Sequence, residues 1–191
     1  MRFFVTGEQN RQQVLNTIVL MFLIFMVMLW ISFALMFFQR MNLTPHSIQE
    51  YYLGSPQKFT EPRSYQSLLE VSHAHLFSMG ILAVTLTHLL LFAPVSDRIK
   101  IFLSFCVYGG AIGDEASSWL VRFVSPNFAY LKISMFLLME ISLLCLILIV
   151  TTGLLRQRGR QKGVHARAHR KKRGPRPSHP VPPSVIPRSG D

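Results

Sequence analysis

Charge is scarce in this chain: only 15% of its residues are Asp, Glu, Lys or Arg, while 50% are hydrophobic. A soluble domain carries roughly 25% charged residues, so the deficit argues against an ordinary water-facing surface. Acids are scarcer still, nine against twenty bases. Eleven of those bases lie at or after Arg156, where the single acid is Asp191; the residues before it hold nine bases and eight acids. The chain is therefore a nearly neutral apolar body followed by a basic tail. The pI near 10.4 belongs to the tail and does not mark a nucleic-acid-binding domain, so nucleic acid is not the expected partner.

Cysteine is nearly absent as well. Cys106 and Cys145 both sit in apolar runs without CxxC spacing, which excludes a disulfide framework and a zinc knuckle and leaves them as packing residues. There is no phosphate-binding glycine loop, no nucleophile beside a base, and no carboxylate pair in a water-filled cleft. Enzymatic chemistry is thus the least supported class, and no catalytic residue is assigned. Gly109 and Gly113, with Ala116, lie mid-run and suit close helix packing.

What the chain has in abundance is long uncharged runs. After a short N-terminal segment, 1–13, residues 14–38 carry no charge over about 25 positions, enough to cross a hydrocarbon core. The run is too long for a signal peptide and no small-residue cleavage site follows it, so it reads as a retained anchor. A polar loop, 39–67, contains Pro45, Pro56 and Pro62 and is partly helical at most. A second span, 68–92, closes before Pro94, since proline disfavours helix in the preceding residue. The short link 93–100 forces an antiparallel third span, 101–123; Ser125-Pro126-Asn127, within the loop 124–130, turns the chain into a fourth, 131–155. Arg2, Arg11, Arg98, Lys100 and the tail 156–191 fall on one side, which the positive-inside rule makes cytoplasmic. The fold expected is all-α: an integral membrane four-helix bundle with both ends in the cytoplasm. The tail lacks apolar periodicity, is expected to be disordered, and should bind anionic lipid headgroups.

Ionisable groups inside a bilayer need partners or a function. Span two carries Glu70, His73, His75 and His88, span three Asp114 and Glu115, and span four Glu140. All except His88 fall in one outer layer. At about 100° per residue Glu70, His73 and His88 share a face while His75 points nearly opposite, which predicts that this three-residue face turns toward protein. Glu70-Val-Ser-His73 has the carboxylate-x-x-imidazole spacing of helical-bundle metal sites. With His75, Asp114, Glu115 and Glu140 nearby, a non-haem metal or a proton relay is one reading. A second is b-type haem on His73, His75 or His88, with His73 and His88 about 22 Å apart along the helix. The other spans hold no histidine, so this requires a homodimer, a respiratory partner subunit, or an axial Met135 or Met139. A third keeps Glu70 and His73 at the solvated interface and pairs Asp114 or Glu115 with Arg122.

The segments YYLGSP, PRSYQSLLEVSHAHLFSMG and GGAIGDEASSWLVR together resemble a largely uncharacterised family of small four-span bacterial inner-membrane proteins, over about Gln12 to Leu155. HAHLFSMG is also similar to the HxHxxxxG helices of haem-associated respiratory membrane proteins, which implies metal ligation by His73 and His75, with Gly80 matching the pattern's glycine. The function expected first is an inner-membrane redox subunit binding haem or another metal. A structural four-span protein without cofactor, and a small metal or proton transporter, are the alternatives.

Overall fold

The computed structural model describes residues 2–172. Its order is α1 (Arg2–Arg40), α2 (Pro45–Leu53), a 3-10 turn at Pro56–Lys58, α3 (Tyr65–Leu90), α4 (Asp97–Phe123), a second 3-10 turn at Pro126–Phe128, and α5 (Ala129–Lys172). Among the described residues there is no strand; one isolated antiparallel bridge joins Ser55 to Thr60. The chain divides into two units, Met1–Leu155 and Arg156–Asp191. The tail, expected to be disordered from residue 156, is helical as far as Lys172. Arg, Gln, Lys and Ala are good helix formers, and extending an existing helix costs far less than nucleating one. Residues 173–191 lie outside the described residues.

Local chemistry explains the boundaries of the elements around the site. Thr44 caps α2, its hydroxyl accepting from the Ser47 amide at 3.4 Å, with Pro45 preset for the first turn. Ser64 caps α3 in the same way through the Ser67 amide at 3.2 Å. Between them Gly54 stands at φ 80°, and an added Cβ there would lie 2.5 Å from the Thr60 carbonyl oxygen. Within the predicted polar loop, α2 thus forms an ordered cap. It buries Ile48 and Tyr52, and Gln49 reaches the Pro126 carbonyl at 3.1 Å.

Among the described residues three helical segments are long and apolar enough to cross a membrane: Val14–Arg40, Tyr65–Leu90 and Pro126–Arg156. The expected third span is not among them, because α4 includes Asp97, Arg98, Lys100, Asp114, Glu115 and Arg122. Its 27 residues nevertheless reach about 40 Å. Its polarity is inverted relative to a soluble helix: Asp114, Glu115, Ser117 and Ser118 are buried, while Ile101, Phe102, Phe105 and Ile112 are exposed. Low hydropathy here reflects what the helix holds inward.

The helices are joined by short-range contacts at the same level as those polar groups. Phe37 of α1 stacks on Phe136 of α5 with ring centroids 3.8 Å apart, and the Trp30 indole donates to the Glu140 carbonyl at 3.1 Å. Gly110 of α4 lets α5 approach so closely that a Cβ there would lie 2.9 Å from the Met139 amide nitrogen. Gly113 similarly faces the Met135 side chain, whereas nothing lies within 4 Å of a Cβ at Gly109. The packing glycines are therefore Gly110 and Gly113, not the expected pair, and Ala116 is exposed. Gly110→Ala should lower stability by about 1–3 kcal/mol, because the clash is with backbone that cannot swing away. Gly109→Ala should leave it unchanged; thermal unfolding of both variants in detergent checks the pair.

Candidate functional site: an ionic cluster at the end of a helix-lined cavity

Lys132 enters the interior in the first turns of α5 and is 5% exposed. Its Nζ lies 2.8 Å from Asp114 Oδ1 in a charge contact and donates to the Asp114 carbonyl at 3.0 Å. The same carbonyl accepts from Ser117 Oγ at 2.7 Å and Ser118 Oγ at 3.2 Å, which holds the α4 backbone at this point. Glu115, next in the chain, accepts a short hydrogen bond from Ser72 Oγ of α3, and Ser72 in turn accepts from the Trp119 indole at 2.8 Å. From above, the Tyr52 hydroxyl of α2 meets Ser118 Oγ at 2.9 Å. Burial pushes the Tyr52 hydroxyl above its usual value, so it stays a neutral partner. Glu115 thus has a donor from another element, whereas Asp114 Oδ1, though in charge contact with Lys132, accepts no hydrogen bond.

Among the described residues two further side chains, besides Asp114, have buried polar atoms without a hydrogen bond. His75 of α3 points inward, edge-on to Phe33 with ring centroids 5.7 Å apart. Its Nε2 is 3.9 Å from Asp114 Oδ2, beyond hydrogen-bonding reach, and makes no hydrogen bond. Glu140, two turns further along α5 than Lys132, is 7% exposed, and neither carboxylate oxygen has a hydrogen-bond partner.

Beside the cluster lies a cavity of about 280 Å³ between α1, α3, α4 and α5. Phe33, Phe37, Phe136 and Met139 form its apolar wall, and His75, Asp114, Glu115 and Lys132 its polar end. Arg40 and Arg63 line it as well. The Arg63 guanidinium lies 4.3 Å from the Tyr51 ring centroid, and its carbonyl accepts from Arg122 Nε at 2.7 Å. Between α1 and α3 Lys58 Nζ donates to Glu50 Oε2 at 2.7 Å, and this hydrogen bond holds the Glu50 carboxyl below its ordinary range.

Of the residues expected to form a site, His75, Asp114 and Glu115 come together at the cavity, with Glu140 buried in the same interior. The face expected to turn toward protein turns away from it. Glu70 is exposed and bonded only locally, to Gln66 Nε2 at 3.0 Å; His73 is exposed; His88 is exposed against Phe92, ring centroids 5.7 Å apart. The inward stripe of α3 is instead Leu68, Ser72, His75, Met79, Leu82 and Leu86. Among the described residues no three His, Cys, Asp or Glu side chains are grouped as they would be around a metal ion. Met135 and Met139 pack against Gly113 and Gly110. The expected pairing with Arg122 is also corrected: Asp114 pairs with Lys132, and Arg122 caps the Arg63 carbonyl. Lys132, Tyr52 and Ser72 were missed. A lone lysine just inside an apolar run, eight residues before Glu140, was the available signal for the first.

Residues 42–161 match a family described as a transmembrane helical domain. No curated protein and no solved structure matches the chain. The match and the three apolar helices make this a multi-pass membrane protein whose outward apolar side chains contact lipid. Lys132→Met should destabilise it by about 3–5 kcal/mol, because Asp114 is then buried without its cation. Adding Asp114→Asn should restore most of that loss; unfolding of the two single variants and the double variant in mixed micelles measures the coupling.

Proposed function

The chain belongs to the Aq_1264_TM transmembrane helical domain family, and we propose that it is a four-span bacterial inner-membrane protein whose buried cluster takes up and releases a proton. The observation that carries this reading is Glu140. A carboxylate in the bilayer interior with neither oxygen partnered costs several kcal/mol, and a bound proton removes that cost. Asp114 lies in the same interior with its charge already matched by Lys132, and the unbonded His75 Nε2 faces Asp114 from the cavity side. A carboxyl, an imidazole and a carboxylate–ammonium pair in one enclosed interior are the components of a proton relay. This makes the proton-transporter alternative the best-supported one. The two-haem reading gains nothing, since His73 and His88 are exposed on one helix face.

The inverted polarity of α4 supports a fourth span, since its exposed phenylalanines and isoleucines suit hydrocarbon and its acids are enclosed by α3 and α5. The bases of 93–100 and of the tail support cytoplasmic ends. On this arrangement α2 and the loop that carries Arg63 lie on the outer side.

Infrared difference spectra of the protein in lipid should contain a protonated-carboxyl stretch that titrates with pH, vanishes in Glu140→Gln and shifts in Asp114→Asn. A spectrum without a titrating carboxyl, or one unchanged by Glu140→Gln, contradicts the proton-exchange reading. Topology is checked independently in intact cells with Cys106 and Cys145 replaced by serine. An impermeant thiol reagent should label Lys58→Cys and leave Ser96→Cys unlabelled; labelling of both contradicts the four-span arrangement.

A further inference from the structure

Arg40 and Arg63 line the cavity, yet neither has a counter-ion: among the described residues every ion pair uses another base. We propose that these two arginines receive the head of an amphiphilic anion, an acidic headgroup on an alkyl chain, and that the cavity's apolar wall takes the first part of the chain.

Charge selects the class of head. The lining holds three bases, Arg40, Arg63 and Lys132, against two acids, Asp114 and Glu115. Lys132 is matched by Asp114, and Glu115 accepts from Ser72, so both acids are engaged inside the cluster while both guanidiniums stay unmatched. A neutral head would leave them so. A carboxylate or a phosphate monoester matches them in a place partly withdrawn from water.

Arg63 is held ready for such a contact. Its amide donates to the Tyr52 carbonyl at 3.0 Å and its own carbonyl accepts from Arg122 Nε at 2.7 Å, which fixes the backbone just before α3. The guanidinium lies 4.3 Å from the Tyr51 ring centroid. That contact uses the flat face of the guanidinium and leaves its in-plane N–H donors, which suit the paired oxygens of an anion. Arg40, at the end of α1, is exposed and can be reached from outside the protein.

The wall accounts for the chain. Phe33, Phe37 and Arg40 follow one another on one face of α1, with Arg40 about 10 Å along the helix from Phe33. Phe136 and Met139 of α5 add to the same apolar lining. A volume of about 280 Å³ lies just below the ~300 Å³ at which pockets for small organic ligands begin, which gives room for a headgroup and a short alkyl segment but not for a two-chain lipid. Inorganic phosphate would leave this wall uncovered.

The inference goes beyond proton exchange and shares only its membrane setting. The test uses the full chain in maltoside micelles, with radiolabelled decyl phosphate as the probe and protein-free micelles as the blank. Saturable binding is expected, displaced by unlabelled decyl phosphate and by decanoate, but not by decanol or inorganic phosphate at the same concentration. Arg40→Gln and Arg63→Gln should each weaken binding about tenfold through loss of a charge-assisted contact. Arg98→Gln, which removes an exposed base at the other end of α4 from Arg122, should bind as the parent does. Should Arg63→Gln fail to fold, Arg40→Gln at its exposed position still decides. Equal displacement by decanol overturns the proposal, because the charge of the head is then not read. Equal displacement by inorganic phosphate overturns it by showing a free ion to be the ligand. Binding that does not saturate, or is unaltered in the arginine variants, overturns it as partition into the micelle. Saturable binding without a titrating Glu140 would sink the proton-exchange reading and leave this one standing; a titrating Glu140 without saturable binding would do the reverse.

Discussion

Lys132 carries its charge into the helix interior in the first turns of α5, and the contacts around it show what that demands. Asp114 supplies the counter-charge from α4, and its carbonyl gathers Lys132, Ser117 and Ser118 at one point. Neutralising a buried ammonium is not a preference but a condition, since leaving either partner alone costs far more than the pair gains. Once α4 and α5 are pinned there, Ser72 and Trp119 bind α3 to α4 through Glu115, and Tyr52 brings α2 down on Ser118. The polar layer fixes which faces of these helices meet.

That constraint also accounts for the shape of α4. In water its exposed Phe102, Phe105 and Ile112 would be a liability, and its enclosed Asp114 and Glu115 a puzzle. On the proposed four-span arrangement that apolar exterior faces lipid and costs nothing, and helix association has to come from packing and interhelical polar contacts. Gly110 supplies the packing by letting the backbones of α4 and α5 meet, and the ionic cluster supplies the polar contacts. Hydropathy therefore overlooks α4 for the same reason that α4 matters. Among the described residues, Glu140, His75 and Asp114 Oδ1 are the buried groups whose hydrogen-bonding capacity the fold does not use, and the proposed proton exchange draws on them.

The long uncharged runs made the all-helical membrane fold legible, because length and lack of charge are properties of composition. The breaks at Pro94 and at Ser125-Pro126-Asn127 likewise fell where the helices end. Facing was not legible. On α3 the angles were right, in that His75 does point away from His73, but both faces are apolar apart from these few groups. Lipid and protein interior therefore look alike to a hydropathy pattern, and the face with more ionisable groups was assigned inward. The two ends of the span settle it differently, since Glu70 and His88 lie within a turn or so of its termini and can stay exposed there. Lys132 was hidden by the same ambiguity, since its place at the start of the last apolar run shows nothing of its partner Asp114 on another helix.

The central claim is that Lys132 and Asp114 form a buried ion pair joining α4 to α5 within the membrane. Solid-state NMR of the full chain in lipid, with ¹⁵N at lysine side chains and ¹³C at aspartate carboxyls, measures it directly. A strong dipolar coupling between Lys132 Nζ and Asp114 Cγ is predicted, as the 2.8 Å contact requires, and it should vanish in Asp114→Asn. A Lys132 ammonium signal with no carboxylate coupling in the parent protein would contradict the account.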